Sequence, residues 1–317
     1  MSARIIDGNV VAARVRAECA QRVKRIREEA GRAPGLAVIM VGENPASAVY
    51  VRNKMRACED VGIVSRRLLY PDTVSEEEVL RRIDILGADP DVDGILVQLP
   101  LPKSFDLKRV LGTIPAGKDV DGFHLYNVGG LVIGDTIFPP CTPYGVMRLL
   151  EHEGIDVAGR NAVVVGASNI VGKPMALMLM QHEATVAVCH AKTRDLAQFT
   201  QLADILVVAA GCPDLITAGM VKDGAVVIDV GINRLPDGRL VGDCDFEGVR
   251  QKAAYLTPVP GGVGPMTVTM LLVNTIGSAE RALGLGRAGE AAQQTTKSAA
   301  QGADVTGFGP IAEEASP

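Results

Sequence analysis

Tyr50 and Lys54, in the run Tyr50-Val51-Arg52-Asn53-Lys54, put a phenol and an amine four residues apart and so on one helix face. Such a pair could serve an enzymatic site, although a solvated helix surface carries the same spacing. The Y-x-x-x-K pair of short-chain dehydrogenases follows its glycine loop. Here the pair precedes the glycine turn at Gly166 by a whole domain, so that reading fails on order. Further on, Val97-Gln98-Leu99-Pro100-Leu101-Pro102 closes a strand with one polar residue in an apolar setting. Lys118-Asp119-Val120-Asp121-Gly122-Phe123 sets acids in a glycine turn. Both belong to the first half-domain, and in an open α/β sheet ligands collect at the carboxyl ends of strands. The late loop Pro258-Val259-Pro260-Gly261-Gly262-Val263-Gly264-Pro265 reads as a tight wall before a final helix.

A second constellation suits a dinucleotide. Asn161–Val165 is a buried-strand pattern followed at once by Gly166-Ala167-Ser168-Asn169-Ile170-Val171-Gly172-Lys173-Pro174 and a helix. Strand, glycine turn and helix N-terminus together hold a pyrophosphate on free backbone N–H groups. The spacing is G-x-S-x-x-x-G, with Ser168 adding a hydroxyl where a glycine is usual, and a structural turn in a doubly wound sheet uses the same glycines. An NAD site expects an acid at the end of the next strand. That strand instead ends in Cys189-His190-Ala191-Lys192-Thr193-Arg194, with no acid before Asp195. A cationic, hydroxyl-bearing strand end, with Thr193 in it and Lys173 approaching from the first loop, suits the 2′-phosphate of NADP.

The elements that must position these groups follow from hydrophobic period. Asn9 reads as the N-cap of a helix with an apolar stripe from Val11 to Ala30, ending near Gly31. Strands are expected at Leu36–Val41, Val64–Leu69 and Gly94–Val97, with helices at Pro45–Val61 and Ser75–Leu86 between them. Leu99 to Cys141, rich in proline and glycine, reads as loop. A helix at Thr142–His152 leads to strands at Ala162–Val165, Thr185–Cys189, Ile205–Ala209 and Val226–Val230. The last helix, Met266–Ala282, is apolar on most sides and reads as buried between domains. Short apolar strands alternating with helices imply parallel β-α-β units. The expected division is 1–140, completed by the helix at 266–283, then 141–265, with a flexible tail at 287–317.

Composition narrows the function classes. A chain of 317 residues suits two α/β domains, and 47% apolar with 22% charged residues is globular, not disordered. A net charge of −5 gives no basic field for nucleic acid. No apolar run is long enough for a membrane span, and the N-terminus has no signal-peptide core, so a cytoplasmic protein is expected. The six cysteines are scattered without C-x-x-C and read as buried, reduced thiols. Four histidines without H-E-x-x-H make a metal site unexpected.

Five motifs, Y-x-x-x-K, V-Q-L-P-L-P, K-D-V-D-G-F, G-A-S-x-I-V-G-x-P and P-G-G-V-G-P-M-T, stand here in the order seen in bifunctional methylenetetrahydrofolate dehydrogenase/cyclohydrolases, which this chain resembles from about Ile5 to Leu283. The resemblance implies an N-terminal α/β catalytic domain and an NADP-binding Rossmann domain with the active site in the cleft between them, in a homodimer. It implies that Lys54 is the catalytic lysine, Tyr50 the aromatic that stacks on the folate, Gln98 the lysine's polar partner and Asp121 the carboxylate that holds the pterin. Val97, Leu99, Pro260, Gly261, Gly262 and Gly264 would line the folate pocket. Gly166, Ala167, Ser168, Gly172, Lys173, Thr193 and Ile232 would contact NADP. Two positions depart from the bacterial pattern: Lys173 stands where arginine is frequent, and Ala191 where serine is. The implied chemistry is NADP-dependent oxidation of 5,10-methylenetetrahydrofolate, then hydrolysis of the methenyl product to 10-formyltetrahydrofolate. A shikimate-type or amino-acid dehydrogenase leaves V-Q-L-P-L-P and P-G-G-V-G-P unexplained. A non-catalytic folate- or nucleotide-binding descendant would be expected to lose Lys54 or the glycine loop.

Overall fold

The computed structural model describes residues 2–285; the expected tail at 287–317 lies outside them. The chain opens with strand β1 (Arg4–Ile5) and helix α1 (Gly8–Ala30), then alternates β2 (Gly35–Val41), α2 (Pro45–Val61), β3 (Val64–Tyr70), α3 (Glu76–Ala88) and β4 (Gly94–Val97). The strands β3-β2-β4 form a parallel sheet, with β2 central and buried along its whole length. The period of two sorts its side chains. Leu36, Val38 and Met40 face α1 and α2, whereas Ala37, Ile39 and Val41 face Val79, Ile83 and Leu86 of α3.

Residues 99–141 are not the loop the sequence suggests. They carry α4 (Leu107–Thr113) and α5 (Leu125–Ile133) before α6 (Cys141–His152). Asp106 caps α4 by accepting from Lys108 N at 2.9 Å, and α5 ends on left-handed Gly134. Helices this short show too few turns for an apolar stripe to stand out from the surrounding prolines and glycines. The first helix corrects a smaller expectation. Its N-cap is Asp7, which accepts from Asn9 N at 2.8 Å, so Asn9 lies inside the helix.

The second half runs β5 (Asn161–Val165), α7 (Gly172–Gln181), β6 (Thr185–Cys189), α8 (Leu196–Thr200), β7 (Ile205–Val208) and β8 (Val226–Asp229). A hairpin of β9 (Asn233–Arg234) and β10 (Leu240–Val241), then α9 (Phe246–Arg250), β11 (Tyr255–Leu256) and α10 (Val263–Ala282) complete it. Its sheet is parallel in the order β1-β11-β8-β7-β5-β6. The N-terminal strand therefore belongs to the second sheet, and the expected unit 1–140 does not hold together as written: β1 pairs with β11 and only the chain from α1 onward builds the first sheet.

Helix α10 joins the halves. It is buried around most of its circumference, packing on α1 and α6, and one continuous core runs from Leu36 and Val38 through Met270, Leu271 and Leu272 to Val164 and Val207. Gly145 of α6 allows this packing, since a Cβ there would lie 2.9 Å from Met266 Cβ. The helix starts at Val263, one turn earlier than expected, because Pro265 sits in its first turn, where a missing N–H costs nothing. Near its far end Glu280 is buried and accepts from Arg22 Nε at 3.1 Å and Nη2 at 2.6 Å, and from Arg25 at 3.1 Å.

Glu280→Ala strands a largely buried guanidinium, so it is expected to destabilise the fold by about 2–4 kcal/mol. Urea unfolding checks this: the midpoint falls with the slope unchanged. An unchanged midpoint would show that the Arg22–Glu280 pair contributes nothing to holding α10 on α1.

Candidate functional site

The cleft between the two sheets is a cavity of about 870 Å³. One face of α2 lines it with Tyr50, Asn53, Arg56, Ala57 and Asp60, a helical spacing. Opposite stand Gly231 and Ile232 after β8, and the loop from Pro258 to Pro265. That loop is pressed close: a Cβ on Gly8 would meet Gly262 O at 1.7 Å, and one on Gly262 would meet Pro258 O at 2.6 Å. The expected pocket residues Pro260, Gly261, Gly262 and Gly264 thus line the cavity together, with Gly264 already in the first turn of α10. Arg16, Arg56 and Asn53 line it too. Sequence reasoning missed these three, because an isolated polar residue on an amphipathic helix looks like solvent-facing surface.

Tyr50 and Lys54 lie a turn apart on α2, as expected. Lys54 is buried at 7% exposure, and its Nζ donates to Gln98 Oε1 at 3.1 Å. Gln98 is fixed from both sides: its backbone N donates to Ile39 O at 2.8 Å and its Nε2 to Leu99 O at 2.7 Å. Val97 is buried and Leu99 half-buried at the end of β4, supporting Gln98; neither lines the main cavity wall formed by α2 and the 258–265 loop. Burial raises the Tyr50 phenol above its ordinary value.

Asp121 is half-buried in the turn between α4 and α5. Burial and then the Asp121 carboxylate push the Cys141 thiol well up, while Lys54 pulls the other way. The turn is held by neighbours that sequence reasoning missed. Asp119, fully buried, accepts from His124 N at 2.7 Å and Asn127 Nδ2 at 2.8 Å. Asn274 of α10 donates to Val120 O at 2.8 Å and to Pro139 O at 3.1 Å. Gly122 has φ +79°, and a Cβ there would sit 2.6 Å from Pro140 N, so only glycine fits.

At the carboxyl end of β5 the expected glycine turn is present. Gly166 has φ +123°, and a Cβ on it would meet Ala209 O at 2.1 Å; one on Gly172 would meet Gly166 O at 1.9 Å. Ser168 Oγ accepts from Val171 N at 3.1 Å, closing the turn, and its own proton stays available to a ligand. Ala167 lies between them, half-buried. A backbone cradle with an open helix N-terminus fits a dinucleotide pyrophosphate. Lys173 is exposed, with Nζ donating to Asn169 Oδ1 at 2.7 Å. Thr193 Oγ1 accepts from His190 N at 3.0 Å, beside exposed Lys192 and Arg194 at the end of β6. Ile232, 43% exposed, reaches the main cavity from the strand after next. Five of the six cysteines are buried and free as expected; Cys212 is exposed. Among the described residues no cluster of ligands suits a metal ion, and no helix is long and apolar enough to cross a membrane.

A parallel sheet with a glycine turn, joined through a buried helix to a smaller α/β unit carrying Lys54, Gln98 and Asp121, defines a two-domain dinucleotide enzyme. The chain belongs to the tetrahydrofolate dehydrogenase/cyclohydrolase family: residues 6–121 match its catalytic domain and residues 140–283 its NAD(P)-binding domain. It is 61% identical over 282 residues to the Bifunctional protein FolD of Nitrosospira multiformis, covering 89% of this chain and 98% of the relative. The bifunctional FolD methylenetetrahydrofolate dehydrogenase/cyclohydrolase of Campylobacter jejuni superposes with a TM-score of 0.87 at 49% identity, covering 88% of this chain and 99% of the other. The Trypanosoma brucei enzyme, solved with NADP cofactor and inhibitor, gives 0.86 at 39% identity, with 89% and 99% covered.

One buried acid of the cleft titrates unusually. Asp229 ends β8, and burial raises its carboxyl from 3.8 to about 6 against the backbone N–H groups it accepts from. The folded state therefore holds this proton more tightly than the unfolded chain, so the group's contribution to stability falls as pH rises from about 4 to about 6. Compared with Asp229→Asn at each pH, the wild type should lose up to about 3 kcal/mol across that window. Denaturant titrations of both proteins measure it; a difference that is flat or rises with pH refutes the assignment.

Proposed function

We propose that this chain oxidises 5,10-methylenetetrahydrofolate with NADP⁺ and hydrolyses the resulting 5,10-methenyltetrahydrofolate to 10-formyltetrahydrofolate, both in the cleft between the sheets. The observation that carries this reading is the buried Lys54–Gln98 pair on the helix whose Tyr50, Asn53 and Ala57 line the cavity, opposite Ile232 and the Pro258–Pro265 loop. In the first step the bound dinucleotide supplies the hydride acceptor, and the protein's task is placement. Tyr50 stacks along the folate, Asp121 accepts hydrogen bonds from the pterin amino-pyrimidine edge, and Pro260 to Gly264 shape the wall behind it. In the second step water attacks the cationic amidinium carbon, and the Lys54 amine moves the proton that accompanies ring opening. Gln98 holds that amine in place through its amide oxygen. Two units share the work: the first sheet with α10 for folate and the sheet around β5 for the dinucleotide, split near residues 140 and 265.

The preference for NADP rests on Lys173, Lys192 and Arg194 around a strand end that lacks an acid, with Gly166, Ser168, Gly172 and Thr193 supplying the cradle. The reading extends to a homodimer. Edge strand β6 and the helices α7 and α5, which pack in succession beside it, expose Val188 (40%), Met180 (53%), Val132 (67%), Ile133 (77%) and Leu125 (81%), apolar side chains that a second copy could cover. Six free cysteines, five of them buried, support a cytoplasmic location, and the acidic balance argues against a nucleic-acid partner.

Lys54→Ala is expected to abolish methenyl hydrolysis, followed spectrophotometrically, and to leave NADP⁺ affinity within about twofold, since the substitution lies in the other unit from the glycine turn. Undiminished hydrolysis would remove Lys54 from the mechanism. Asp121→Asn presents a donor where the pterin requires an acceptor, so the folate KM should rise by about tenfold or more, corresponding to ~1.4 kcal/mol, with the NADP⁺ KM little changed. The opposite split, with NADP⁺ affinity falling and folate affinity kept, would reassign Asp121.

A further inference from the structure

A single carboxylate outside the residues discussed so far gathers the loops beside the glycine turn. Gly166 presses on the end of β7, where its missing Cβ would lie 2.1 Å from Ala209 O, so the segment after β7 is the turn's immediate neighbour. Asp243, fully buried after β10, holds that segment. Its Oδ2 accepts from Ala210 N at 2.7 Å and Gly211 N at 2.9 Å. Its Oδ1 accepts from Cys212 N at 2.9 Å and from Asn233 Nδ2 at 2.8 Å. Its backbone N–H and that of Gly231 both donate to Asp229 Oδ1, at 3.0 and 2.9 Å. Asp243 thus ties the Ala210–Cys212 segment to Gly231–Asn233, which carries Ile232 into the cavity. Four donors on two oxygens use its acceptor capacity, so the side chain has no bond left for a ligand.

We propose that Asp243 is a positioning residue for the dinucleotide, fixing the spacing between the loop after β7 and the loop after β8 across which the cofactor lies. The proposal rests on the reading that NADP binds at the carboxyl ends of β5 and β7. A dinucleotide meets such a sheet at its strand ends, and by taking the N–H groups of Ala210, Gly211 and Cys212, Asp243 sets the course of the backbone there. Only a carboxylate satisfies all four donors. In Asp243→Asn either amide orientation turns an NH₂ toward two of them, which releases one side of the clamp.

The test uses the enzyme's two activities, because methenyl hydrolysis needs no dinucleotide and so reports the folded, folate-competent protein. In Asp243→Asn the NADP⁺ KM is expected to rise tenfold or more, while the folate KM and the rate of methenyl hydrolysis stay within about twofold. An unchanged NADP⁺ KM overturns the proposal. If the variant does not fold, Asn233→Ala, which removes one of the four donors, decides the matter. A threefold or larger rise in NADP⁺ KM with hydrolysis kept supports the clamp; no rise, or parallel loss of both activities, overturns it. Gly166→Ala is run beside them to separate the proposal from the reading beneath it. Loss of NADP⁺ affinity in Gly166→Ala without loss in Asp243→Asn sinks the clamp alone. Retained affinity in Gly166→Ala sinks the cofactor site and the clamp with it.

Discussion

Helix α10 is apolar around most of its surface, so it must be covered on all sides, and no single sheet of this size can do that. The two halves solve the problem jointly: α1, α2, α6 and the first sheet close over Met270, Leu271, Leu272 and Ile276, and α6 and α7 carry the same core on to the second sheet. The cleft is a consequence. Packing is continuous along the helix but stops at its N-terminus, where the Pro258–Pro265 loop and α2 remain apart and leave the cavity. Each end of α10 then serves a different purpose. The N-terminal turn is part of the cavity wall; Asn274 and Ser278, further along, reach the backbone of Val120, Pro139 and Asp93; and Glu280 anchors the far end on Arg22.

The loops around the cleft are too irregular to satisfy their own backbone groups, and buried side chains do it for them. Asp119 serves the turn that carries Asp121, Asp229 serves Gly231, Asp243 and Cys244, and Asp243 serves the segment after β7. A carboxylate suits this task because it only accepts and offers two oxygens to converging N–H groups. Burying it costs desolvation energy, seen in the raised carboxyls of Asp119 and Asp229, and the N–H groups offset that cost. The result is loops held rigidly where function needs defined spacing rather than mobility.

The division of the molecule also separates two kinds of recognition. The glycine turn offers backbone donors and an open helix end, which suit phosphate and tolerate little side-chain bulk. The α2 side offers Tyr50, Lys54, Asn53 and Arg56, side-chain groups that can discriminate a heterocycle and its substituents. Lys54 lies on the α2 side, buried from bulk water and hydrogen-bonded to Gln98.

The strands, the long helices and the motif order were legible in the residues, because buried parallel strands and amphipathic helices write their period directly into the sequence. Pro45–Val61, Gly94–Val97 and Thr185–Cys189 fall where the pattern puts them, and so does the pairing of Tyr50 with Lys54 on one face. What the sequence left open was everything that depends on contact between distant segments. The short helices α4 and α5 are stabilised by caps and packing, not by a stripe of their own. Strand β1 joins the second sheet through β11, some 250 residues away, which no local pattern encodes. Asp243, Asn274 and Asp119 read as ordinary polar residues until the fold brings backbone donors or carbonyls to them from other loops. A side chain's chemistry is local and can be read from its letter, but which unsatisfied group it faces is decided only when the chain closes on itself.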